Sequence, residues 1–256
     1  MKQLLSVILL TVSSWAFSGL VMAGGGGVHL DHAPGDLTDN ESLKRGAQAF
    51  ADNCLSCHAA DYMRYNRIGR DLGWTDIEVA EKLINTRGAD GEKTKVGELM
   101  KVAMDNEYAG TAFGTKIPGL TVIARARGGD WLYTYLRTFY LDDSRPTGMN
   151  NLVFADVGMP HVLWEKQGLQ KAVFKTEKGT DGNEKHVFEK MEMVQAGTMS
   201  VEEYDAYVGD LVNFMVYMGE PVQLERRSMG VYVLIFLFVF AIVAYMMKKE
   251  YWKDVH

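Results

Sequence analysis

Cys54-Leu55-Ser56-Cys57-His58 concentrates the reactive chemistry of this 256-residue chain. Its only two cysteines stand with two residues between them, and a histidine follows directly. C-x-x-C-H is the attachment pattern of a c-type haem. The two-residue gap lets thiols on one helical turn each add across a vinyl group of the porphyrin, and the histidine beneath the ring can ligate the iron. The resulting chemistry is one-electron transfer, which the cofactor supplies and the protein tunes. Other uses of C-x-x-C fit less well. Zinc needs more ligands, and there is no second cysteine pair. A thioredoxin-like dithiol sits between a strand and a helix, whereas residues 41–53 read as a helix.

An iron that shuttles electrons needs a ligand on its other side, and a thioether there raises the potential relative to a second imidazole. Fifteen methionines and five further histidines are available. Met159 stands in Val157-Gly158-Met159-Pro160, a loop bounded by glycine and proline whose freedom the proline limits. His161, two residues on, is its nearest rival, and Met104, in a segment read as helical, is another. Local chemistry leaves the choice open.

These groups must be carried by an exported, anchored domain. Residues 1–23 read as a secretory signal, with Lys2, an apolar run over 4–12 and a small-residue site at Val21-Met22-Ala23; an uncleaved anchor is the alternative. Residues 228–247 hold no charge. They are long enough to cross a hydrocarbon core, with Arg226 and Arg227 on one side and Lys248, Lys249 and Lys253 on the other. The expected divisions are a signal over 1–23, a periplasmic domain over 24–228, a transmembrane helix over 229–247 and a cytoplasmic tail over 248–256. The domain holds 23 of the 27 basic and 31 of the 33 acidic residues, leaving it near −8. Such a surface does not seek nucleic acid, and it can steer a basic protein partner.

Thr38-Asp39-Asn40-Glu41 matches a capping box opening the first helix, with Leu43, Ala47, Phe50 and Ala51 on one face. Gly46 is costly in mid-helix unless another backbone comes close. A second box, Ser200 with Glu203, opens a last soluble helix whose apolar stripe runs through Tyr204, Tyr207, Val208, Leu211, Phe214, Met215 and Met218 until Gly219 and Pro221 stop it. This helix is expected to cross the first near Gly46 and Phe50. Between them, residues 75–85 read as a helix opened by another capping box at Thr75, with Ile77, Leu83 and Ile84 inside, and residues 98–105 as a short helix. Residues 130–140 read as an aromatic helix carrying Trp131, Tyr133, Tyr135, Phe139 and Tyr140, suited either to plain core or to the wall of a flat apolar ligand. Residues 169–194 read as a polar hairpin turning at Thr180-Asp181-Gly182-Asn183.

The chain resembles the cytochrome c1 family, the membrane-anchored haem subunits of the ubiquinol–cytochrome c reductase (the cytochrome bc1 complex). The resemblance is carried by Arg45-Gly46 to Phe50 before C-x-x-C-H and by Met63-Arg64-Tyr65 after it. It continues through residues 123–140, Gly158-Met159-Pro160, Asp210-Leu211-Val212-Asn213-Phe214, Glu220-Pro221 and the C-terminal anchor. It implies one covalent haem c held by Cys54 and Cys57, with His58 and Met159 as iron ligands. It also implies that an Arg-x-Arg pair, Arg125 and Arg127, faces the cofactor, with Arg127 the one expected to neutralise a propionate. The chain departs from the family at Ile117-Pro118-Gly119-Leu120-Thr121, where a Pro-Pro-Asp-Leu-Ser block is usual, so no role of that acid carries over.

The resulting expectation is a mainly α, cytochrome c-like haem domain with a small hairpin insertion and one C-terminal transmembrane helix. It lies on the periplasmic side of a bacterial inner membrane and contacts lipid and cytochrome b. It takes electrons from a Rieske iron–sulfur protein and gives them to a c-type cytochrome. A tethered shuttle to a terminal oxidase and a haem peroxidase are the alternatives.

Overall fold

The computed structural model describes residues 28–88, 91–102, 104, 106–178 and 184–254. The expected signal and the hairpin turn at 180–183 lie outside the described residues. The architecture is helix-rich, with three two-stranded antiparallel sheets rather than helices alone.

The core forms where α1 (Asn40–Asn53) crosses α8 (Val201–Gly219). A Cβ on Gly46 would lie 2.0 Å from the Asp210 carbonyl oxygen and 2.7 Å from Phe214 Cβ, so only glycine permits this approach. Phe50 and Phe214 meet beside it with ring centroids 5.7 Å apart. Arg45 clasps the Asp210 carboxylate at the rim (2.6 and 3.0 Å). Asn213 ties α8 to the entry of α1, donating to Asp36 O (2.8 Å) and to Ser42 Oγ (3.0 Å). The expected crossing is therefore present, and its apolar stripe is buried except at half-buried Tyr207.

Helix starts follow side-chain competition. Ser200 and Thr75 head the two reciprocal boxes expected of them. Thr38 does not cap α1: its amide and hydroxyl both go to Asp36 Oδ1, and Asp39 accepts from Ser42 N instead. α2 (Tyr65–Leu72) and α3 (Asp76–Lys82) pack together through Val79, leaving Ile77 exposed against expectation while Leu83 and Ile84 are buried beyond the helix end. The described residues of the helix expected over 98–105 are not helical. Leu99 and Met100 form β2 (Leu99–Met100) against β1 (Ala60–Arg64), because the segment returns alongside Tyr65 and Asn66, whose amides donate to Glu98 O and Val96 O. Helix α4 (Asn106–Phe113) begins only beyond it.

Helices α5 (Ile123–Arg127) and α6 (Gly129–Arg137) are joined by Gly128, at φ 91° and ψ 155°, a conformation that side-chain-bearing residues avoid. The expected aromatic helix ends at Arg137, and Phe139 and Tyr140 pass into β3 (Phe139–Leu141), paired with β4 (Met149–Asn151). A short α7 (Trp164–Gln167) leads into the hairpin, β5 (Gly168–Lys178) with β6 (Glu184–Ala196). Gln167 and Gln170 fasten its base to the carbonyls of Arg137 and Phe139. Last comes α9 (Gln223–Tyr251), 29 residues with no buried residue, whose most apolar 18-residue stretch has a mean hydropathy of 2.6, long and apolar enough to cross a membrane.

Candidate haem-binding site

Cys54 caps the C-terminus of α1, and its carbonyl accepts from the amides of Cys57 (3.1 Å) and His58 (2.8 Å). The motif is thus one tight turn leaving the crossed helix, which sets both thiols and the imidazole at one wall of a cavity of about 340 Å³. Burial, with Cys57 beside it, pushes the Cys54 thiol up to about 12. His58 Nδ1 donates to the Pro118 carbonyl at 2.8 Å, because a carbonyl can only accept. That bond fixes the tautomer and leaves the Nε2 lone pair for a metal. Burial lowers the His58 pKa, the Pro118 bond partly opposing it, so the imidazole favours the neutral, ligating form. The loop that departs from the family pattern therefore still builds the site. Ile117, Pro118 and Leu120 line the cavity, and Leu120 N donates back to Ala59 O at 2.8 Å.

Met159 lines the same cavity. Its loop is shaped by two asparagines that sequence reasoning missed. Asn151 Oδ1 accepts from the amides of Val153 and Phe154, and Asn150 Oδ1 from those of Asn151 and Asp156. Val157 is buried beneath the loop, and Tyr135 Oη donates to Met159 Sδ at 3.3 Å. His161 goes elsewhere: it is buried and stacks on Phe139, with centroids 4.9 Å apart and planes 3° apart. Met104 does not line the cavity either.

The aromatic helix α6 serves both of its expected uses. Trp131 and Tyr135 line the cavity, whereas Tyr133 lies under the Arg137 guanidinium at 4.5 Å. The arginine pair separates. Arg127 lines the cavity and sits 5.2 Å over the Trp131 ring; Arg125 does not line it and binds Glu220 at 2.9 Å. Lys116, also missed, is a second cation on the wall. The remaining lining is largely apolar, including Phe113, Ile123, Leu132, Leu136, Phe154 and Met215. A larger hollow of about 1130 Å³ opens beside the hairpin, but no cysteine or Met159 reaches it, and its Arg137 is already held by Asp31 and Asp205.

Two thiols, a tautomer-fixed imidazole and a thioether around one apolar cavity suit a covalently attached haem, with nitrogen and sulfur donors for its iron. Fold and site together define a c-type cytochrome on an apolar helical stalk. The family model described as Cytochrome C1 family matches residues 32–255, and the chain belongs to that family. A cytochrome c1 of Allochromatium vinosum is 47% identical over 236 residues, covering 92% of this chain and 93% of that protein. A protein of Nitrosomonas europaea named ammonia monooxygenase gamma subunit is 50% identical over 229 residues, covering 90% of each. A cytochrome c1 of Rhodospirillum rubrum is 25% identical over 268 residues, covering 94% of this chain and 93% of its own. The family's members carry covalent haem c and are electron-transfer subunits of the bc1 complex, where they stand with cytochrome b.

Proposed function

We propose that the chain passes single electrons from a Rieske iron–sulfur protein to a c-type cytochrome, with its haem domain in the periplasm (residues 24–228) and α9 holding it in the inner membrane. Cys54 and Cys57 attach the cofactor, and His58 and Met159 ligate it. The observation that carries the reading is that His58 and Met159, from distant parts of the chain, line one cavity with both thiols. The bound haem supplies a reversible one-electron couple. The protein's part is to hold that couple still and dry. Pro118 O orients His58, the asparagine-built loop presents Met159, and Trp131, Leu132 and Phe154 exclude water. Arg127 is the wall cation assigned to a propionate, and Arg125 belongs with Glu220 instead.

A peroxidase would need an acid–base side chain beside the bound cofactor, whereas this cavity offers the Met159 thioether and His161 packs on Phe139. The name of the Nitrosomonas relative raises a monooxygenase role. Among the described residues, however, no group of three or more His, Cys, Asp or Glu side chains assembles to hold a further metal. Replacing Met159 by Ala tests the ligand: the reduction potential falls and the ferric form binds azide or imidazole. An unchanged spectrum and potential would refute the assignment. Purification from membranes with cytochrome b and a Rieske protein supports the electron route, and purification with a terminal oxidase replaces it by a tethered shuttle.

A further inference from the structure

We infer that Tyr135 is a positioning and tuning residue of the site, its hydroxyl drawing electron density from the Met159 sulfur and so favouring the reduced protein. The inference rests on Met159 being the iron ligand. Tyr135 Oη donates to Met159 Sδ at 3.3 Å, a close approach for a large, weakly accepting sulfur. The phenol is also held in register. Its ring stacks on Trp131 (centroids 4.9 Å apart, planes 10° apart) and meets Phe139 edge-on (5.1 Å, 68°), while Asn151 Nδ2 donates to the Tyr135 carbonyl at 2.7 Å. A phenol so clamped, only 9% exposed, has little freedom to turn its hydroxyl to other partners.

A thioether sulfur has two lone pairs. One given to iron leaves one that can accept a hydrogen bond, and a donor there competes with the metal for sulfur electrons. Ferric iron draws on the sulfur more than ferrous iron does, so the hydrogen bond weakens the oxidised state more. No bond forms or breaks and no proton leaves the phenol; the effect is a bias on an existing couple. Packing alone makes a different demand: a side chain that merely props the loop would, when trimmed, let the sulfur drift and open the iron to outside ligands.

Tyr135→Phe separates these, because it keeps the ring, both ring contacts and the backbone bond and removes one oxygen. In the haem-loaded full chain, the ferric-to-ferrous ratio poised at the wild-type midpoint should shift about two- to tenfold toward ferric, the range expected for one hydrogen bond. Azide affinity of the ferric form should fall, since the freed sulfur holds iron more tightly. An unchanged or raised midpoint overturns the inference. So does a lowered midpoint accompanied by tighter azide binding, which marks a prop. The wild-type ferric spectrum guards the underlying reading: if its sulfur-to-iron charge-transfer band is absent, Met159 is not the ligand and both statements fall together. If the band is present and Tyr135→Phe leaves the midpoint unmoved, only the role of Tyr135 falls.

Discussion

His58 is ready to bind a metal because of an atom that no motif names, the carbonyl oxygen of Pro118, which accepts a hydrogen bond from Nδ1 at 2.8 Å. The same scale separates two arginines that look equivalent in the chain. Arg127, on the cavity wall, adds positive charge where an oxidised cofactor is least welcome, and Arg125 spends its charge on Glu220. Arg127→Gln should therefore lower the midpoint in a redox titration, by less than about 1 kcal/mol because the residue is exposed. Arg125→Gln should leave it in place. The cysteines and His58 were legible because covalent attachment imposes a short local spacing. Met159 needed the Gly/Pro loop and the whole-chain resemblance together. Pro118 O, Lys116 and the hydroxyl of Tyr135 were not legible, since each acts only after the chain has returned on itself.

At the scale of elements, the crossing of α1 and α8 decides stability. A methyl group on Gly46 must push two backbones apart. Gly46→Ala should thus cost about 1–3 kcal/mol in denaturant unfolding, while Gly97→Ala, with nothing near its added Cβ, should change stability by less than about 0.5 kcal/mol. Removing the Ser200 cap of α8 by Ser200→Ala should cost about 1 kcal/mol. This crossing and the boxes at Thr75 and Ser200 could be read directly, because helical spacing and capping are local rules. The errors share one cause, in which a neighbour overrode the local rule. Asp36 captured Thr38, Val79 took the interior position expected of Ile77, and β1 drew Leu99 and Met100 out of a helix.

For the whole molecule, the joint between domain and stalk is built on Glu220, which binds Arg125 and, through two hydrogen bonds, Arg226 in the first turn of α9. The hydrogen bond from Arg226 chiefly holds this carboxyl below the ordinary glutamate range, the charges of Arg226, Arg125 and Arg227 adding to it and partial desolvation opposing. A carboxyl whose folded pKa is depressed stabilises above its unfolded value, and that contribution is lost as pH falls through the folded one. The joint should therefore be closed at neutral pH and loosen in acid. Glu220→Gln should broaden the haem-plane orientation seen by EPR in oriented membranes at neutral pH and remove its dependence on acid. An orientation unchanged in the variant would show that α9 is aligned by other contacts.

The pairing of Arg45 with Asp210, 165 positions apart, also sets a timetable for biogenesis. During synthesis, α1 lacks its main packing partner until residues 201–219 have emerged, so Cys54 and Cys57 remain in an unfinished and open chain for most of elongation. That interval is when a bulky porphyrin can be delivered to both thiols. A nascent chain arrested before residue 200 should label at both cysteines with a maleimide, and the completed, unloaded chain should protect Cys54.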